Sequence, residues 1–212
     1  LWARIPPAGK GRMVLVRGGP GAGKSRLMRE LAHEVRAAGH PQLWAKCAQG
    51  DPVPYAPLRE AVDAHLTAVQ AAGDADRLVR VRTAAGDSAA MVAALSPAMA
   101  RVLDQPVGGL AVEPEQFVTA VAVFLADLAR GADGLLLCLD DVHWIDEASR
   151  QVLHRLGPEL SRAPLLVACT GRDDHEGAAA LDRFRTDLSA ALDGDIALQP
   201  LADDAIDALL TS

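Results

Sequence analysis

Gly18-Gly19-Pro20-Gly21-Ala22-Gly23-Lys24-Ser25 fits the pattern G-x-x-x-x-G-K-[ST], and it lies between a short apolar run, Met13-Val14-Leu15-Val16, and a helical segment over 26–38. A strand, a tight glycine turn and a helix N-terminus together aim a row of backbone N–H groups at one point, where the helix dipole also favours negative charge. That point is expected to hold the β-phosphate of a nucleotide, with Gly18, Gly19, Pro20, Gly21, Ala22, Gly23, Lys24, Ser25 and Arg26 as the binding set. Gly21 and Gly23 permit backbone angles and a close approach that a Cβ would block. Lys24 can reach the β and γ oxygens, and the Ser25 hydroxyl can ligate Mg²⁺. The alternative is a glycine-rich turn that binds nothing, and the strand-to-helix context argues against it.

On either side of this loop the pattern is one of strands alternating with helices. In the first helix Leu27, Leu31 and Val35 recur at intervals of four and form an apolar stripe that ends at Gly39. A second strand is expected over 42–47, and a proline-stiffened loop, Pro52-Val53-Pro54-Tyr55-Ala56-Pro57, leads into a helix over 58–71. From 73 to 112 short helical pieces (77–82, 89–95 and 97–103) are broken by glycine and proline, which reads as a helical insertion. The segment 115–130 is amphipathic, with Phe117, Val121, Phe124, Leu125 and Leu128 on one side. Leu135-Leu136-Leu137-Cys138-Leu139 is apolar throughout, as in a strand covered on both faces. A helix over 146–160, a buried strand over 164–170, a helix over 178–192, a short strand over 195–198 and another helix from about 203 complete the series. Such alternation predicts an α/β fold with a parallel sheet and helices on both faces, whose ligands sit at the carboxyl ends of the strands. Gly18, Asp140 and Arg172 all fall at or just past such ends.

The bounds agree with one α/β core: 212 residues, 50% hydrophobic and 23% charged. A formal net charge of -7 leaves no global basic surface for nucleic acid. No run approaches the length of a membrane span, and the N-terminus carries no charged-then-apolar signal pattern, so a cytoplasmic location is expected. Cys47, Cys138 and Cys169 form no C-x-x-C pair and read as buried thiols, with no zinc site. The chain starts at Leu1 without a methionine and stops at Ser212 within a helical pattern, as a piece of something larger would.

An apolar strand ending in an acid, far downstream of a phosphate loop, supplies what Mg·ATP needs: a carboxylate held opposite Ser25 to complete the shell of the metal. Asp140 is placed for that role, and Asp141 to orient or deprotonate an attacking water. The alternative for the pair is a strand-ending turn. Asp146 is most simply the N-cap of the next helix. Arg172, taken alone, could be a surface arginine or a phosphate contact. His143 could be a switch or could cap the turn with Trp144 packed beneath the following helix, and it is given no catalytic role.

Gly-Gly-Pro-Gly-Ala-Gly-Lys-Ser-Arg-Leu at 18–27, Cys47 with Pro54-Tyr55-Ala56-Pro57-Leu58, Leu-Leu-Leu-Cys-Leu-Asp-Asp-Val-His-Trp-Ile-Asp at 135–146, Thr-Gly-Arg at 170–172 and Leu-Gln-Pro-Leu at 198–201 belong together. Over roughly residues 12–210 the chain resembles the AAA-like ATPase core of the STAND proteins. These are multidomain signal-transduction ATPases, and their bacterial branch includes large LuxR-type transcriptional regulators and proteins with attached cyclase or kinase domains. The resemblance implies a P-loop NTPase three-layer αβα sandwich, with Walker A and Walker B elements and a five-strand parallel sheet of order 5-1-4-3-2, in which one strand separates the loop strand from the Asp140 strand. It makes Arg172 the sensor of the γ-phosphate and puts Pro200 near the adenine. It divides the chain into a lead-in (1–12), an ATPase core (13–199, with the insertion at 73–112) and the start of a helical lid (200–212). The partners it implies are the nucleotide, the lid, winged-helix and output domains of the same chain, and copies of itself in an ATP-dependent association. No direct nucleic-acid or membrane contact by this segment is expected. The adenine-pocket segment of Gly-Arg-Glu type that usually precedes the loop is absent from the stretch at hand.

The expected function is Mg²⁺-dependent ATP binding with slow hydrolysis, the nucleotide state acting as a switch on an attached output domain. A non-hydrolysing, ADP-bound scaffold is the alternative. A small-molecule kinase is the weakest, because 73–112 offers no basic cluster for an acceptor phosphate.

Overall fold

A computed structural model describes residues 10–50, 53–106 and 113–199. The first nine residues, most of the expected lead-in, lie outside the described residues, as do Pro52, the end of the expected insertion at 107–112, Pro200 and the expected lid segment at 200–212.

Five strands form one sheet: β1 (Arg12–Arg17), β2 (Gln42–Lys46), β3 (Leu135–Asp140), β4 (Leu165–Gly171) and β5 (Leu192–Ala197). Their order is β2-β3-β4-β1-β5 and every pairing is parallel, so β4 lies between β1 and β3 as expected. β3 and β4 are buried at every residue, because in the middle of a parallel sheet both faces are covered. The edge strands alternate instead: β5 exposes Asp193, Asp195 and Ala197 and half-buries the residues between them.

Two apolar layers hold the sheet. On one face Val14, Leu136, Cys138, Leu166 and Ala168 pack against α1 (Lys24–Ala37) through Met28, Leu31, Ala32 and Val35. The buried stripe is rotated from the expected one: Leu27 is 37% exposed and Met28 takes its place. At about 100° per residue one position decides which side chain meets the sheet, and the angle at which α1 leaves the loop selects Met28.

The other face carries the larger cluster, built on α6 (Pro114–Gly131) and α7 (Glu147–Leu160). Phe117, Val121, Phe124, Leu125 and Leu128 of α6 are all buried there. The helices α2 (Ala56–Ala71), α3 (Ala75–Ala85), α4 (Ala89–Ala93) and α5 (Pro97–Val102) add Leu66, Val81, Val92 and Met99 to the same cluster. The short helices over 75–102 therefore fold back on α6, as a helical insertion would. Asp146 N-caps α7 by accepting the Ser149 N–H at 2.9 Å, and the same oxygen accepts the Tyr55 N–H at 3.0 Å, which pins the start of α2.

The last helix among the described residues, α8 (Ala178–Asp187), stops five residues short of its expected end, and β5 begins three residues early. Local sequence over 188–194 suits a helix as well as a strand. Pairing with β1 decides it, together with the Asp193 carboxylate, which accepts the Met13 N–H at 3.1 Å where the β1–β5 register shifts.

Candidate nucleotide site

The loop from Gly18 to Gly23 leaves β1 and enters α1 with no side-chain cap and no acid in its first turn. The first N–H groups of α1 thus lack the protein acceptor that helix starts usually recruit. Gly21 (φ 78°) and Gly23 (φ 90°) occupy the left-handed region. A Cβ on either meets no protein atom within 4 Å, so backbone angle and not crowding within the chain calls for glycine there. Crowding falls on Gly18, where a Cβ would sit 2.6 Å from the Leu198 carbonyl.

Lys24, only 7% exposed, is the chemical centre of the loop. Its ammonium donates to the carbonyls of Gly18 (2.7 Å) and Gly19 (2.9 Å), and among the described residues no carboxylate lies within salt-bridge distance of it. A buried cation held by carbonyl dipoles alone is poorly compensated, and an anion over the loop would supply the missing charge. Ser25 follows, and its hydroxyl donates to the Asp140 carboxylate at 3.0 Å across the gap between α1 and the tip of β3.

Asp140 is itself held from behind. The Thr170 hydroxyl on β4 donates to Asp140 Oδ1 and accepts the Asp141 N–H at 3.1 Å, so one fully buried side chain orients the carboxylate and the turn that follows it. In the sequence Thr170 ends a strand and opens the Thr-Gly-Arg stretch, with no role of its own assigned. Its role needs β4 to lie beside β3, a tertiary fact.

The other two candidates are engaged elsewhere. Asp141 adopts φ 61°, a left-handed conformation that aspartate tolerates, and its carboxylate pairs with Lys46 of β2 at 3.2 Å. Arg172 pairs with Asp174 at 2.5 Å and Glu176 at 3.0 Å, both on its own loop. The hydrogen bond that Arg172 donates to Asp174 holds the Arg172 pKa above its usual value, and the same bond holds the Asp174 carboxyl below the ordinary range. The Arg172 N–H donates to His143 Nδ1 at 3.4 Å, so His143 meets the β4 tip by its ring, while its Nε2 is buried without a partner among the described residues. Arg26 is exposed on α1. The structure thus brings Lys24, Ser25, Asp140 and Thr170 to one point and leaves the Asp141 and Arg172 side chains in local ion pairs. Pro200 is not among the described residues.

A sequence model of the AAA ATPase domain family matches residues 3–168, more than three quarters of the chain. The chain belongs to the AAA ATPase domain family. It is also similar to an uncharacterised protein of Rhizobium meliloti (strain 1021), 28% identical over 224 aligned positions that take in 96% of this chain and 19% of that protein. The chain therefore spans about a fifth of the length of the relative it matches. Among solved structures, that of C. elegans PCH-2 aligns over 94% of this chain and 38% of its own, at 14% identity and a TM-score of 0.43.

As an AAA ATPase domain the chain is a nucleotide-binding module, and its donors can be tested against Mg²⁺. One hydroxyl (Ser25) and one carboxylate (Asp140), 3.0 Å apart, fit an ion that takes one or two protein oxygens and fills its octahedron with phosphate and water. Among the described residues no cluster of three His, Cys, Asp or Glu could cage a metal without such help. The cysteines of the AAA domain offer no nucleophile: all three are buried and free, and burial pushes Cys47 and Cys138 up to about 12 and Cys169 well above its usual value. His143, five per cent exposed, is pushed down by burial, which favours the neutral ring that accepts from Arg172. Among the described residues no helix is long and apolar enough to cross a membrane.

Proposed function

We propose that this domain binds Mg·ATP, hydrolyses it slowly and serves as the nucleotide-dependent switch of a multidomain bacterial signalling or transcription-regulatory protein of the STAND class. The observation that carries the reading is the buried Lys24 ammonium, which has two carbonyls and, among the described residues, no carboxylate, at the mouth of an uncapped helix. Lys24 and the α1 N–H groups would bind the β and γ oxygens. Ser25 and Asp140 would hold Mg²⁺, which supplies charge neutralisation for the leaving diphosphate. Asp141 would accept a proton from the attacking water once freed from Lys46, and Arg172 would contact the γ-phosphate once freed from Asp174 and Glu176. Pro200 would pack near the adenine. The 13–199 core, with its insertion at 73–112, would be followed by a lid and winged helix from 200 onward, would act in the cytoplasm, and would self-associate in an ATP-dependent way.

The same ion pairs favour a second reading, a scaffold that keeps ADP and turns nothing over, because both residues needed for hydrolysis are neutralised by neighbours. Single-turnover measurement with Mg·ATP separates the two. Phosphate released at a rate abolished in Lys24→Met supports the switch; nucleotide bound without phosphate release supports the scaffold; no nucleotide binding by folded protein sinks both.

A further inference from the structure

Both α1 and α2 begin at the carboxyl edge of the sheet and run away from it, and between them, over β2, lies a trough of about 930 Å³. That volume is within the usual range for sites of small organic ligands. From Ser25 to Arg36 the α1 wall measures about 16 Å at 1.5 Å per residue. Its floor is apolar and built of small groups around one aromatic: Trp44, Ala32, Ala61, Ala64, Ala68 and Val69. Parallel sheets ordinarily cover both faces, yet Trp44 stays half-buried because α1 and α2 stand apart above it.

The charge of the walls is opposite to that of the molecule. Four cationic side chains (Arg29, Arg36, Lys46 and Arg77) face two carboxylates (Asp74 and Asp140), in a chain of net charge -7. Arg77 is paired with Asp74 at 3.1 Å, and Lys46 with Asp141 at 3.2 Å. Arg36 lies beside the Gln42 amide. Arg29 is exposed and has no hydrogen bond or ion pair among the described residues, although it sits one turn from Ser25 on the same α1 stripe as Arg36. A local cation excess over an apolar floor selects a ligand that is both anionic and partly apolar. An added β-strand is disfavoured, because α2 already packs against β2, with His65 beside the Gln42 backbone.

We propose that this trough is a second ligand site, for a partly apolar organic anion such as an aromatic or acyl carboxylate. Its charged group meets Arg29 and Arg36, and its apolar body lies on Trp44 and the α2 alanines. Ser25 and Asp140 form the end wall, so the bound ligand abuts the metal end of the nucleotide site without using the phosphate loop.

Two dyes of similar shape test it: anilinonaphthalene sulfonate, an anion, and N-phenylnaphthylamine, its uncharged counterpart. Titrated into the folded domain, the anion should saturate one site with energy transfer from tryptophan, and the neutral dye should bind at least about tenfold more weakly. Trp44→Phe should remove most of the transfer while the anion still binds. The double variant Arg29→Ala, Arg36→Ala should weaken the anion about tenfold or more, leave the neutral dye unchanged and keep the thermal transition of the parent. Dodecanoate should displace the anion. Equal affinity for both dyes, indifference to the two arginines, or loss of the anion in Lys24→Met, which would place the dye on the phosphate loop, overturns the proposal.

Discussion

Replacing Thr170 by valine removes one hydroxyl and nothing else of that size from the structure. The residue is fully buried, so water cannot take over its bonds. Two are lost: the donor to the Asp140 carboxylate, a bond to a charged group worth about 1.5 to 3 kcal/mol net, and the acceptor of the Asp141 N–H, a neutral bond worth about 0.5 to 1.5 kcal/mol. The extra methyl occupies the space of the hydroxyl and returns part of this by burial, so a loss of about 2 to 4 kcal/mol is expected. Urea unfolding should show it as a lower midpoint at unchanged slope, and a thermal scan as a fall of roughly 5 to 15 °C for a domain of this size. The carboxylate, no longer held from behind, should also need more Mg²⁺ to reach half-maximal nucleotide binding. Thr170→Ser separates the two effects: it keeps the hydroxyl and its Mg²⁺ response and loses only a buried methyl, about 1 kcal/mol. A Thr170→Val domain within about 0.5 kcal/mol of the parent, with unchanged Mg²⁺ dependence, would refute the assignment of Thr170 as the residue that positions Asp140.

Mg·ATP or Mg·ADP at a hundred times its dissociation constant should raise the melting temperature by roughly 5 to 10 °C. Lys24→Met should abolish that rise while leaving the nucleotide-free melting temperature equal or higher, since it deletes a poorly compensated buried charge; a large fall without nucleotide would show Lys24 to be structural. Asp140→Asn should weaken the Mg²⁺ dependence of binding, whereas Asp141→Asn should spare binding and slow turnover about a hundredfold, with equal effects on binding contradicting the division of roles. By titration calorimetry, Arg172→Ala should cost about tenfold or more in affinity for a non-hydrolysable ATP analogue and much less for ADP, and Asp174→Asn, which frees Arg172, should strengthen the analogue; equal losses for both nucleotides would remove the sensor role. His65 and His143 have folded pKa values lowered by burial, so below about pH 6.5 the unfolded chain takes up protons that the folded chain resists. Stability should therefore fall as pH drops from 7 through 6.5 toward the lowered folded values, and His143→Asn should flatten that slope in urea titrations at several pH values.

Local chemistry made the central strands and the loop legible. A continuous apolar run such as 135–139 can be buried on both faces only inside a parallel sheet, and Gly21 and Gly23 hold backbone angles that few other residues tolerate. Asp146 as a helix cap was legible for the same reason, since a cap is chosen within four residues of sequence. Where local preferences were nearly balanced, the reading failed. Residues 192–194 become strand because β1 offers them a partner, while 188–191 form the turn before it, and Leu27 is exposed because α1 leaves the loop at an angle that turns Met28 inward.

The sequence by itself determined the fold class and the phosphate loop, because each follows from spacings of a few residues whose backbone chemistry admits one outcome. Tertiary structure alone decided what meets what across the strands: Thr170 behind Asp140, Lys46 on Asp141, and the cationic trough above Trp44. Such contacts join residues up to about a hundred positions apart, and only the strand order brings them within bonding distance.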